Sequence, residues 1–227
     1  TETVDYGLYA IRYHAKTPQL LVSPGANIAP SILKFGEYHW VYPEAIKALG
    51  ASFSTTVSEF NLAGEISTRW DQPLASTNAR ALVPGEAINN DRDPLYATGR
   101  TLHANFSWLA ALPPSWLSQE ATFLGEVAWN RVLSVTKNPD AVDRNSKRDA
   151  WGLRMVYEPM YRQVMPGLDI SVPLGLGFAP EGRSRATAQS LGAHQGGDVN
   201  IGIKGVYLNT WNMGLNYTHY YGPSDSL

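Results

Sequence analysis

Glu120 and Glu126 are the residues most suggestive of acid–base chemistry, because both fall on one face of a period-two segment. Paired carboxylates of this kind can hydrolyse glycosides when they lie within about 10 Å. Six residues of strand cover about 20 Å at 3.3 Å per residue, so this pair is too far apart. Asn89, Asp91 and Asp93 have the alternate spacing of a calcium loop. The sixth position is Pro94 and the twelfth is Arg100, where such loops need glycine and an acid. The five histidines are scattered, with His194 and Asp198 the only near pair, so no zinc site is expected. There is no cysteine, which excludes thiol catalysis and disulfides. No nucleophile elbow, P-loop or dinucleotide fingerprint occurs. The expectation is a protein with no catalytic residues, no metal and no cofactor.

A larger set of charges is better organised. Arg12, Glu65, Arg69, Asp71, Glu126, Arg154, Glu158, Asp169, Asp198 and Lys204 mix both signs, on the polar sides of alternating segments. Opposite charges on neighbouring strands can form a transverse ladder that shapes a pore. The plainer reading is solvation of a water-filled interior.

The elements that carry these charges alternate at period two. From Gly167 to Phe178, Leu168, Ile170, Val172, Leu174, Leu176 and Phe178 share one face. Asp169, Ser171, Pro173, Gly175 and Gly177 share the other. Leu62 to Asp71 repeats the pattern with its charges on one side, so a one-residue slip would turn them all to the apolar face. About ten segments behave this way, and no amphipathic helix is available to cover the apolar side. The pattern predicts an all-β antiparallel transmembrane β-barrel, with lipid outside and a polar lumen.

Composition agrees with that reading. Charged residues make up 17%, against about 25% in ordinary soluble domains. The net charge of −2 gives no electrostatic case for nucleic acid. No apolar run reaches the length of a membrane helix. Trp70, Trp108, Trp129, Trp151, Tyr161, Trp211 and Tyr217 sit on the apolar face, mostly near strand ends, and read as an interfacial girdle. The competing reading makes them core aromatics of a soluble sandwich.

The connections punctuate the strands. Pro113 to Ser118 and Pro166-Gly167 are short, whereas 137–149 and 180–197 are long, an alternation typical of outer-membrane barrels. Residues 72–99 have no period and are expected to project from the rim or fold inward as a constriction. Residues 16–31 read as a loop, 35–42 as a weak strand and 43–49 as one helical turn. With that assignment the long 16–31 connection falls on the short-turn side, a conflict of parity.

Several phrases then belong together: Tyr42-Pro43-Glu44-Ala45-Ile46, Gly64-Glu65-Ile66-Ser67 before Gln72-Pro73-Leu74, Phe123-Leu124-Gly125-Glu126-Val127, and Pro166-Gly167-Leu168-Asp169. So do Gly205-Val206-Tyr207 and Tyr217-Thr218-His219-Tyr220-Tyr221-Gly222. Across most of its length the chain resembles a proteobacterial outer-membrane β-barrel family of unknown function. The resemblance implies a bacterial outer-membrane location in contact with lipid or lipopolysaccharide. It also implies work beside an RND-type permease and a periplasmic partner, moving hydrophobic or lipid-like substrates.

Members of that family are longer and begin with a signal peptide. Thr1 follows no basic n-region or apolar core, so a signal peptide is expected to be absent or removed. Ser224 to Leu227 reads as a loop where such barrels finish on an aromatic strand, so residues 1–227 are expected to be a barrel segment lacking at least its last strand and earlier ones as well. The expected function is an outer-membrane channel or transport component. The alternatives are a docking barrel without transport, and a soluble sandwich that binds glycans through exposed aromatics.

Overall fold

The computed structural model describes residues 3–24, 36–76, 89–90, 92–187, 191–192 and 194–223. β-branched, aromatic and glycine residues at period two produce long strands joined by Pro, Gly and Asn turns. In order these are β1 (Val4–Tyr13), β2 (Gln19–Pro24), β3 (Gly36–Val41), β4 (Ile46–Val57), β5 (Phe60–Pro73) and β6 (Thr98–Leu112). There follow β7 (Glu120–Lys137), β8 (Asp149–Met165), β9 (Leu168–Ser171), β10 (Leu174–Glu181), β11 (Gly196–Tyr207) and β12 (Trp211–Tyr221). One turn of 3-10 helix covers Pro139–Ala141. Among the described residues no helix is long and apolar enough to cross a membrane, which says nothing about strands.

Ten strands form one antiparallel sheet, in the order β1-β4-β5-β6-β7-β8-β10-β11-β12. β9 pairs with β8 and β11, in line with β10, so the two share one position. Pro173 separates them, since it has no amide to donate to a ladder. The sheet is open, and β1 and β12 are its two edges.

The hairpin β2–β3 is a separate two-stranded sheet. β1 pairs directly with β4 along its whole length, from Val4 opposite Thr55 to Tyr13 opposite Ile46. This removes the parity conflict. Residues 14–45 are one long connection that contains a hairpin, and residues 14–45, 74–97, 138–148 and 182–195 all emerge at the same end of the sheet. Residues 58–59, 113–119, 166–167 and 208–210 make the short turns at the other end. The helical turn expected over 43–49 does not form. Ile46 and Ala48 are instead buried strand residues, because β1 supplies them with a partner.

Register assigns every strand residue to a face, since directly opposed residues share one. Leu8, Ala51, Ile66, Ala104, Trp129 and Trp151 form one row across six strands of the apolar face. Leu176, Val199, Met155 and Gly125 continue that face. It is open to solvent over its length: Leu8 is 87% exposed, Ile201 50% and Leu215 75%. No second layer covers it among the described residues. A soluble domain rarely exposes an apolar patch beyond a few hundred Å².

The buried core lies at the long-loop end instead. Leu74, Ala97, Val132, Ala141 and Ala186 pack together there, and Leu21, Val41, Leu95 and Tyr96 fix the β2–β3 hairpin against the segment before β6.

Candidate functional site

The face opposite the apolar one carries the charges. Glu65 stands opposite Ser52 and Asn105, and Glu126 opposite Ser107 and Arg154. Tyr9 Oη donates to Glu65 Oε1 at 2.7 Å, crossing β4 above Gly50, where a Cβ would meet the Tyr9 ring at 2.3 Å. Arg69 is opposite Ala48 and Thr101 on the same face.

Two rungs span three strand positions. Arg154 on β8 reaches over β10 to Asp198 on β11, with Nη1–Oδ1 3.2 Å and Nη2–Oδ2 3.0 Å. The residue between them is Gly177, opposite both. Glu158 on β8 reaches over β9 to Lys204 on β11, with both carboxylate oxygens 3.0 Å from Nζ. Ser171 Oγ, between them, donates to Glu158 Oε1 at 2.6 Å. The two rungs have opposite polarity, with the cation on β8 in one and on β11 in the other.

At the short-turn end Arg162 gathers two acids that sequence reasoning had left apart. Its Nε donates to Glu120 Oε1, and its Nη1 lies 2.9 Å from Asp169 Oδ2. Asp169 Oδ1 also accepts from the Gln163 amide at 2.9 Å. Glu120 is therefore held by an arginine.

Eight of the ten expected charges share the polar face, and two depart from it. Arg12 lies opposite Lys47, on the face of Leu8 and Ala10, because it is an even step from those residues in β1. Asp71 has φ 58° at the irregularity between Arg69 and Gln72, which breaks the alternation. Its carboxylate turns to Lys47 Nζ at 3.5 Å. These residues make a charged rim at the long-loop end of β1, β4 and β5. Arg100 lies 5.0 Å over the Trp70 ring nearby.

The seven expected girdle aromatics all fall on the apolar face by register. Trp70, Trp151 and Trp211 lie within three residues of a strand end, and Trp108, Tyr161 and Tyr217 lie four residues in. Trp129 lies in mid-strand, since β7 runs on to Lys137. Trp129 and Trp151 are directly opposed. Trp108 packs beside Phe106 and Phe123 and lies flat over Gly125, where a Cβ would meet its ring at 2.3 Å.

The long-loop end of the polar face is covered. Residues 183–185 run beside Lys147, whose amide donates to Arg183 O at 2.7 Å, and the Arg185 amide donates back to Lys147 O at 2.9 Å. The Ala75 amide donates to Arg185 O at 3.0 Å. Ser184 Oγ donates to Asn130 Oδ1 at 2.7 Å, and both residues are buried. Residues 72–99 were expected either to project from the rim or to fold inward; the described part of the chain that folds over this face includes residues 182–187. Residues 77–88 and Asp91 lie outside the described residues, and with them the calcium-like spacing. Asn89 Oδ1 accepts from the Arg92 amide at 3.2 Å. His194 Nδ1 faces Glu181 Oε2 at 3.5 Å, while Asp198 belongs to Arg154.

Towards the short turns the polar face opens into a groove of about 760 Å³. Its floor includes Leu109, Leu124 and Val156, which sequence reasoning missed. The signal was present: each is an apolar residue at a polar-face position of its strand.

The fold and site define an all-β protein with a long antiparallel sheet, one face apolar and exposed, the other charged and capped at one end. Residues 1–226 match the family described as Protein of unknown function (DUF1302), and the chain belongs to that family. No curated protein and no solved structure matches it.

Proposed function

We propose that this sheet is the wall of a transmembrane β-barrel in a bacterial outer membrane, and that the protein is a channel or transport component for hydrophobic or lipid-like substrates. The observation that carries this reading is the exposed apolar face, which runs the length of the strands opposite a face bearing the ion-paired rungs. Lipid is the cover that asks for no second protein layer. All short turns at one end and all long connections at the other is the arrangement such barrels have.

Closure follows a simple rule. The sheet has nine strand positions, so β1 and β12 run parallel to each other. Antiparallel closure therefore takes an odd number of further strands between these edges. On this reading the polar face lines the lumen, residues 182–187 narrow its outer end, and the groove opens towards the periplasm. An inner-membrane permease of the RND type and a periplasmic carrier are the partners that the family resemblance suggests.

The test is to express the complete gene product and follow it through fractionation. Recovery in an outer-membrane detergent fraction with heat-modifiable migration is the expected result. A monodisperse product that stays in solution without detergent would overturn the membrane reading and favour the glycan-binding sandwich.

A further inference from the structure

The polar face is not uniformly polar. Leu109 lies directly opposite Leu124, and Leu124 directly opposite Val156, so the three make one continuous row across β6, β7 and β8. The row continues into Asn61 and Thr56 on one side and into Gly175 and Asn200 on the other. Leu109 and Leu124 are 48% and 41% exposed, although they share a face with Glu126, Arg154 and Glu158. Apolar side chains on a solvated face gain nothing from the sheet itself. They gain when something apolar lies on them, at about 25 cal/mol per Å² removed from water.

The groove above this row runs from Asp5 on β1 to Arg154 on β8. Five strand spacings make that roughly 24 Å. The groove's volume, about 760 Å³, lies within the range of sites that hold one small ligand. Charge at its rim decides the class. Asp5 and Glu126 are acids, and the guanidinium of Arg154 is already engaged by Asp198. With the Arg154 charge matched by Asp198, the rest of the rim charge is acidic and disfavours a carboxylate or phosphate. Glu126 and Arg154 also border a second cavity of about 470 Å³, lined by Gly152, Gly177, Gly192, Gly196 and Gly197 under the long-loop cap. Glu126 and Arg154 lie two residues along β7 and β8 from Leu124 and Val156, so a charged row runs beside the apolar one, with the glycine-lined space beyond it.

We infer that the row Leu109–Leu124–Val156 is a binding strip for the aliphatic body of an elongated, uncharged ligand, with Glu126 and Arg154 forming the charged row beside it. This rests on the transport reading and names its substrate class and contact residues.

Residues 1–227 contain no cysteine, so once any cysteine elsewhere in the complete gene product is replaced by serine, an introduced thiol is the only one present. Leu124→Cys is prepared in the complete gene product, reconstituted in nanodiscs, and its alkylation by N-ethylmaleimide is timed with and without 1-dodecanol. At ten times the dissociation constant, bound alkanol should slow alkylation about tenfold. Dodecanoate at the same concentration should protect less than about twofold, and Leu109→Asp in the same background should remove the alkanol's protection. Asn200→Cys, in the same row beyond the apolar part, should remain unprotected.

Equal rates with and without alkanol overturn the strip. Equal protection by dodecanoate overturns the charge argument, and protection at Asn200→Cys reduces the effect to non-specific partition. Detergent dependence and heat-modifiable migration are measured on the same preparations. A failure of the membrane reading is thereby separated from a failure of the strip.

Discussion

Arg154 and Asp198 meet across a strand that belongs to neither. The contact is bidentate, and it exists because the residue between them is Gly177, where a Cβ would lie 2.7 Å from Asp198 Oδ1 and 3.4 Å from Arg154 Nη1. The rung is set by the size of the middle residue as much as by the charges at its ends.

Gly177→Leu is expected to destabilise more than Arg154→Ala. The leucine breaks the same ion pair and in addition takes the space of Asp198 Oδ1, the end of a side chain only 12% exposed, a further cost of about 1–3 kcal/mol. Arg154 is 68% exposed in its side chain, so solvent screening holds the loss of its ion pair to about 1 kcal/mol or less. The midpoint of heat-modifiable migration for the two variants checks the order, and the reverse order would refute the steric account of the rung.

Ile201→Arg and Asn200→Arg place the same charge on opposite faces of β11. In a membrane the first should cost about 2–4 kcal/mol near the midplane while the second is tolerated. In water Ile201, already half exposed, would accept arginine within about 0.5 kcal/mol. The yield of assembled protein in the membrane fraction separates the two cases.

Ser184→Ala should loosen the cap over the long-loop end. It leaves the buried Asn130 amide without its hydroxyl partner, at about 1–3 kcal/mol. Limited proteolysis should then cut within residues 182–195 sooner than in the parent chain. Replacing both groups, as Asn130→Leu with Ser184→Ala, should cost less than the single change. Unaltered cleavage in Ser184→Ala would show that the backbone bonds to Lys147 and Ala75 hold the segment alone.

Tyr96 gives the loop layer a pH limit. Burial raises its phenol above the ordinary value near 10, and the Glu44 carboxylate adds to this, while the hydroxyl donates to Asn90 Oδ1 at 2.6 Å. The neutral form is the folded form, so its stabilisation is complete below pH 10 and is lost as pH rises from there. Thermal midpoints should fall above pH 10, and Tyr96→Phe should flatten that fall. A variant with the same slope as the parent would rule Tyr96 out as the cause.

Period-two alternation determined much of this protein. Leu168 to Phe178 and Leu62 to Trp70 announced their faces because in a strand successive side chains must point opposite ways. The same rule placed Glu65, Arg69, Glu126, Arg154, Glu158, Asp169, Asp198 and Lys204 together. It misplaced Asp71, because a left-handed residue at an irregularity turns the chain off its period. It also hid the partner of Ile46: pairing with β1 requires contact between residues more than thirty positions apart, and no local pattern encodes that. Alternation says which side of a strand a residue occupies. Only register says what lies across from it, so the three-position rungs, the Asn130–Ser184 lock and the Leu109–Leu124–Val156 row were decided by tertiary structure.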